Sequence, residues 1–238
     1  MYKLPIEARE FVLFQRTELL PKRRKSLVTR LLNRIGRKHD DYNRWVRLIA
    51  ADLSYDIESR YFSDMQKVAM NLKAHLPAHA TRMLDLGCGM AALDLFLDHL
   101  ISPDQIYLLD KTKTEDAVWY MFQEDGAFYN SLELAKEMLI LNGVNPEKIN
   151  LISAPDDGFI DLDSNSFDVV VSTLSWGFHY PIKLYIESVY RLLKITGVLF
   201  VDVRKDSGGY EELAKRFSVS IIGEEDKFST VKCVKLAE

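Results

Sequence analysis

A chain of 238 residues, 47% of them hydrophobic and 28% charged, can bury a sizeable core and suits one large α/β domain, alone or with an added piece. Its two cysteines, Cys88 and Cys233, make neither a disulfide framework nor a metal-spaced pair, which excludes a small disulfide scaffold and points to a reducing compartment. The net charge of −4 is uneven: residues 1–50 hold 13 Lys and Arg against 5 Asp and Glu, a net of +8, leaving −12 to the remainder.

The first ten residues carry charges where a secretory signal needs an apolar block, and no uncharged apolar run approaches the length of a membrane span. A cytoplasmic protein without a transmembrane segment is expected. Lys22-Arg23-Arg24-Lys25 then open a stretch in which Leu27, Val28, Leu31, Leu32 and Ile35 recur at helical spacing among arginines. That pattern predicts a basic amphipathic helix over 22–38. Such a helix either packs with a solvated cationic face or meets an anionic glycan, lipid surface or RNA. Asp40 or Asp41 is placed to cap a second helix carrying Tyr42, Trp45, Val46 and Ile49. A third, over 55–76, carries Ile57, Tyr61, Met65, Val68 and Leu72 and is closed by Pro77. Residues 1–79 therefore read as a basic helical extension.

From residue 82 apolar strand-like runs alternate with helical ones. Strands are predicted at 82–86, 106–110, 149–153, 167–172 and 197–203, and helices at 91–100, 131–142, 182–194 and 208–217. A closing hairpin is predicted from 218–222 and 231–236. Alternation of this kind predicts an α/β domain over 80–238, a doubly wound, mostly parallel seven-stranded sheet. The stretch 111–130 is long, irregular and aromatic, as functional loops often are.

In an open parallel sheet, ligands sit beyond the carboxyl ends of the strands. The first predicted strand ends in Asp85 and runs into Gly87-Cys88-Gly89-Met90-Ala91-Ala92. Gly87 and Gly89 present bare backbone, and the following helix offers unpaired amides at its start. The second strand ends in Asp110, about twenty residues on, where an acid can accept both hydroxyls of a ribose. Alanine in the third glycine position leaves dinucleotide binding open. A carboxylate at Asp85, directly ahead of the loop, would repel a pyrophosphate and suits an ammonium or sulfonium ligand.

On these residues the chain resembles the class I S-adenosylmethionine-dependent methyltransferases. Leu84-Asp85-Leu86-Gly87-Cys88-Gly89 is similar to that family's first motif, Asp110 to its ribose-binding acid, and Ser166-Phe167-Asp168-Val169-Val170-Val171-Ser172 to its fourth-strand motif. Tyr190 to Leu199 is similar to its helix–turn–strand segment, with Ile195-Thr196 in place of the usual Pro-Gly. The resemblance spans roughly residues 80–236. It implies a Rossmann-like methyltransferase fold and S-adenosylmethionine as cofactor. The cofactor would be held by Asp85, Gly87, Cys88, Gly89, Asp110, Lys111, Ala154, Asp156 and Ser172. Asp156 and Asp157 also read as a solvated turn.

Methyl transfer to a hydroxyl needs a base, and His179, in the segment after the fourth strand, titrates near neutrality. The other reading of His179 is a ring bound to its own backbone or stacked on Tyr180. Trp176, Phe178 and Tyr180 either wall an acceptor pocket or pack against the N-terminal helices. The Asn/Asp-Pro-Pro-aromatic motif of methyltransferases acting on exocyclic base nitrogens is absent here, as is a cysteine for cytosine chemistry. No RNA-binding module is visible, so nucleic acid is not the expected partner; the alternative readings are a methyltransferase of RNA or another macromolecule guided by the basic N-terminal helix, and a non-catalytic methyltransferase-like binding subunit. Leu174 to Pro181 and residues 128–144 further resemble small methyltransferases encoded with bacterial surface-polysaccharide enzymes. That narrower resemblance implies sugar O-methylation. Lys111, Lys113, Trp119, Tyr120, Phe122 and Tyr129 would then help form the sugar site. Arg204 and Lys205 are candidate anion contacts or plain surface charges. His75 and His79 flank Pro77 and lack a third ligand, so no metal is expected.

Overall fold

The computed structural model describes residues 2–21, 38–112 and 130–236, with the backbone alone over 38–42. Residues 22–37 of the predicted basic helix and most of the aromatic stretch, including Lys113, Trp119, Tyr120, Phe122 and Tyr129, lie outside the described residues.

Three helices come first: α1 (Ala8–Gln15), α2 (Lys38–Ala51) and α3 (Glu58–Leu72). Their apolar stripes converge, and a buried cation ties them together. Arg9 is 2% exposed. Its guanidinium donates to the carbonyls of Ala50, Asp52 and Tyr55 and to the Glu58 carboxylate. One side chain of α1 thereby satisfies the frayed end of α2, the connecting turn and the start of α3.

The remaining elements are β1 (Arg82–Leu86), α4 (Ala92–Ile101), β2 (Gln105–Asp110), α5 (Leu132–Leu141), β3 (Ile149–Ser153), β4 (Phe167–Ser172), β5 (Ser175–Tyr180), α6 (Ile186–Leu192), β6 (Leu193–Arg204), α7 (Gly209–Ala214), β7 (Ser218–Glu224) and β8 (Phe228–Val234). Seven strands form one sheet in the order β3-β2-β1-β4-β6-β8-β7. β1, β2, β3, β4 and β6 run parallel; β8 is antiparallel to both β6 and β7. This is the doubly wound seven-stranded sheet expected from the alternation. Strand order reverses between β1 and β4, so the crevice for a ligand opens at their carboxyl ends.

Side-chain alternation sorts the core into two layers. Met83, Ile106, Leu108, Val169, Val171 and Phe200 face the first layer, with α4, α5 and the N-terminal helices. Leu84, Leu86, Leu109, Val170, Leu199 and Val201 face the second, with α6 and α7. Leu4, Val12, Leu13, Tyr61 and Met65 share the first layer with Met90, Leu93 and Leu97, so the core runs unbroken past residue 79.

β1, β3 and β4 match the predicted bounds. The predicted helix over 182–194 is shorter, because Leu193 is already extended and pairs with Phe167. β6 consequently starts four residues early. Ser175–Tyr180, read from the sequence as a loop, is extended, stands outside the seven-stranded ladder and packs beside β6.

Truncating Arg9 would orphan one buried and two part-buried carbonyls and a carboxylate. Arg9→Ala is expected to lower unfolding free energy by about 3 kcal/mol, measured by urea denaturation followed by far-ultraviolet circular dichroism.

Candidate active site

The glycine loop joins β1 to α4 over the switch point. Gly87 has φ +85° and Gly89 φ +54°, both in the left-handed region. Ala91, at φ 55°, and Leu174, at φ 51°, hold the same region without being glycine, one on each side of the crevice. Strain of this kind persists only where the surroundings over-determine it. Leu174 shows how: its amide donates to Asp202 Oδ2 at 3.1 Å, while Thr230 donates to Oδ1 at 2.7 Å. Asp202, at the end of β6, thus pins the β4–β5 turn to the sheet. Burial pushes its carboxyl up to about 6.

That turn delivers Ser175 against the loop. A Cβ on Gly87 would lie 1.9 Å from Ser175 Oγ and 2.4 Å from its Cβ. A Cβ on Gly89 would lie 2.7 Å from Gln15 Oε1, at the end of α1. The bare backbone expected to admit a ligand is therefore also demanded at Gly87 by Ser175, while the flexible end of Gln15 lies close over Gly89.

Asp110 closes the loop onto β2. Its Oδ2 accepts from the Gly89 amide at 2.8 Å and its Oδ1 from the Lys111 amide at 2.7 Å. The carboxylate keeps acceptor capacity for a further donor. Burial raises this carboxyl to about 6, against the pull of the two amides and of the Asn130 side chain. Gln15 Nε2 donates to Asn130 Oδ1 at 3.4 Å, linking α1 to the same edge.

Below the loop the acids are deeper. Asp85 is 2% exposed and Asp94, in the first turn of α4, not at all. Burial, with Asp94 and Asp110 nearby, pushes Asp85 well above the carboxylate range; Asp94 rises to about 7, chiefly by burial. The Arg16 guanidinium works the other way on Asp85 and Asp202. Burial and three neighbouring acids raise the Cys88 thiol far above its usual value, so it is a neutral filler.

The other sequence candidates divide. Ala154 N donates to the Asp110 carbonyl at 3.0 Å, joining the loop after β3 to β2. Lys111 Nζ pairs with Asp156 at 2.6 Å, an exposed pair on the carboxylate side. Ser172 was expected to touch the cofactor. Instead it is fully buried: its hydroxyl donates to the Leu86 carbonyl at 2.6 Å and accepts from the Trp176 amide at 3.1 Å. Its role is to clip β4 to β1. Trp176 was a candidate pocket wall. It is also fully buried, its indole N–H donating to the Ile182 carbonyl and its ring edge-on to Tyr185, in the second core layer and away from the N-terminal helices. Phe178, His179, Tyr180 and Arg204 gather at the β5–β6 end of the same edge. Arg204 lies 5.6 Å over the Phe178 ring, and His179 meets Phe178 edge-on at 4.9 Å. His179 stands at the surface, yet partial desolvation and the Arg204 cation hold its pKa below the ordinary histidine value. Trp119 lies outside the described residues.

No protein-family model matches the chain, and no curated protein matches it. Solved structures do. A proposed S-adenosyl-L-methionine-dependent methyltransferase of Methanococcus maripaludis superposes with a TM-score of 0.52 at 18% identity, over 77% of this chain and 90% of that one. The YcgJ protein of Bacillus subtilis gives 0.51 at 13%, over 74% and 100%. Precorrin-6y C5,15-methyltransferase of Geobacter metallireducens gives 0.50 at 18%, over 71% and 87%. The doubly wound α/β fold is the one these solved structures share.

The residues present on this fold fit the methyl donor that the sequence resemblance implies. Asp85 Oδ1 is a buried acceptor without a donor among the described residues, as a cationic ligand end requires. The left-handed glycines leave the loop backbone bare, and Asp110 has acceptor capacity for a ribose. Asp94, Asp202, Gln15 and Arg16 were missed by sequence reading. The two acids left a signal, an Asp inside an apolar helix and an Asp inside an apolar strand; Gln15 and Arg16 left none.

Gly87→Ala is expected to cost about 2 kcal/mol from left-handed strain and the Ser175 clash. Ser175→Gly in the same chain should return part of it, read as the shift in urea midpoint of single and double variants.

Proposed function

We propose that this chain is an S-adenosylmethionine-dependent methyltransferase that acts on a hydroxyl of a sugar or another small acceptor. The observation that carries the reading is Asp110. Two backbone amides, one of them from the glycine loop, hold its carboxylate beside the switch point with acceptor capacity to spare. An acid so held is built to receive the two hydroxyls of a ribose.

Asp85 and the Gly87–Gly89 backbone would hold the cationic methionine end, and Ala154 and Asp156 would border the adenine. The donor, when bound, supplies an already activated methyl group, so the protein's task is alignment and exclusion of water. His179 is the proposed base. Because its pKa is depressed, it is neutral at physiological pH and able to take the acceptor's proton. Phe178 and Tyr180, half-buried beside Arg204, offer aromatic faces and a cation to a sugar carried on a phosphate. The basic segment ahead of α2 is the proposed contact for that anionic group or for an anionic surface. No described helix is long and apolar enough to cross a membrane.

Calorimetric titration with S-adenosylmethionine or its thioether product tests the donor half. Micromolar binding is expected, weakened about 10- to 100-fold by Asp110→Ala. Wild-type affinity should also fall as pH drops through about 6, where Asp110 takes up its proton and loses acceptor capacity. Absence of binding would sink the reading.

His179→Ala is expected to lower turnover by about 10²-fold or more with donor affinity unchanged. Activity of the wild type should stay flat above the ordinary histidine range and decline below it. Labelled-methyl transfer to nucleotide sugars and glycans, followed across pH, checks both.

A further inference from the structure

Two acids share one buried site under the glycine loop. Asp85 ends β1 and Asp94 opens α4; neither has more than 2% of its surface exposed. Asp85 Oδ1 and both carboxyl oxygens of Asp94 accept no hydrogen bond from any described group. Yet the two side chains lie within hydrogen-bonding reach of each other. Two carboxylates cannot hydrogen-bond, since both only accept. The contact is a bond only when one of them keeps its proton, and like charges this close in a dry site resist ionising together.

The described neighbours of the pair do not relieve that repulsion. Tyr61 of α3 faces it as a neutral phenol held to the Ala92 amide, and Cys88 as a neutral thiol. Asp110 of β2 adds negative charge. Arg16, at the end of α1, is the cation that reaches Asp85. Its guanidinium also donates to the Met65 sulfur at 3.2 Å and pairs with Glu18 at 3.8 Å. Among the described residues, one cation shared this way offsets one charge of the pair and leaves the second unopposed. Burial accordingly carries Asp94 to about 7 and Asp85 beyond the ordinary carboxylate range.

We propose that Asp94 is the positioning partner of Asp85. In the free protein the two carboxyls face each other over a single proton. A cationic group seated at the glycine loop supplies the missing charge, the proton leaves to solvent, and Asp85 faces the ligand ionised. This rests on the donor reading above for the identity of the cation. The proton sharing itself does not.

Two measurements separate the parts. Infrared spectroscopy of the free protein at pH 7.5, above the range in which Asp110 and Asp202 titrate, should show a carboxylic C=O band. Asp94→Asn should lose it, because the amide donates to Asp85 and lets it ionise; Asp85→Asn should lose it as well. Circular dichroism verifies that both variants fold. Calorimetry with the thioether product in two buffers of different ionisation enthalpy should then show release of about one proton per site by the wild type at pH 7 and almost none by Asp94→Asn. An unchanged band in both variants, or binding without proton release by the wild type, overturns the proposal. A wild type that keeps the band but takes up no thioether overturns the donor reading and the release step with it, and supports the shared proton.

Discussion

The hydrogen bond from the Gly89 amide to the Asp110 carboxylate is the contact on which the functional edge depends. It ties the loop after β1 to the end of β2, on one side of the place where strand order reverses. With it in place, the start of α4, the glycines and an acid with spare acceptor capacity share one fixed geometry. The second side of the crevice is set independently. Ser172 clips β4 to Leu86, Asp202 pins the turn at Leu174, and that turn presses Ser175 against Gly87. Neither side is held by packing alone; polar side chains buried at strand ends do the fastening.

The same edge is electrostatically costly. Asp85, Asp94, Asp110 and Asp202 all have carboxyls raised by burial. A carboxyl raised on folding binds a proton the unfolded chain has already released. Its presence therefore weakens the fold progressively as pH rises from the ordinary carboxylate range through the raised value. A chain under selection for stability alone would not gather four such groups at one rim. Clusters of perturbed acids in a crevice are a pattern that functional sites and structural ion networks share.

The N-terminal elements belong to this arrangement rather than standing beside it. Arg9 fastens α1 to α2 and α3, and the other end of α1 places Gln15 over Gly89 and Arg16 among the buried acids. A single buried cation at one end of an eight-residue helix thus sets where the opposite end meets the glycine loop. The helix is short enough that its stability comes from this docking rather than from its own hydrogen bonds.

Much of the sheet was legible in the sequence because short strands of a parallel sheet leave short, largely apolar runs. β1, β3 and β4 appear in the chain as Arg82–Leu86, Ile149–Ser153 and Phe167–Ser172 without help from the rest of the molecule. Glycines at 87 and 89 and an acid at 110 were equally visible, since their spacing is local to one strand–loop–helix–strand unit. What lay hidden was everything that depends on distant segments meeting. That Trp176 and Ser172 are structural, that Ser175–Tyr180 is extended, and that Gln15 reaches Gly89 are facts of packing between residues far apart in sequence. Asp94 was visible as an acid on an apolar helix, but only the fold brings it against Asp85. Local periodicity fixes which elements form and where their ends carry chemistry; which buried polar groups satisfy one another, and which are left wanting a partner, is decided when the layers close.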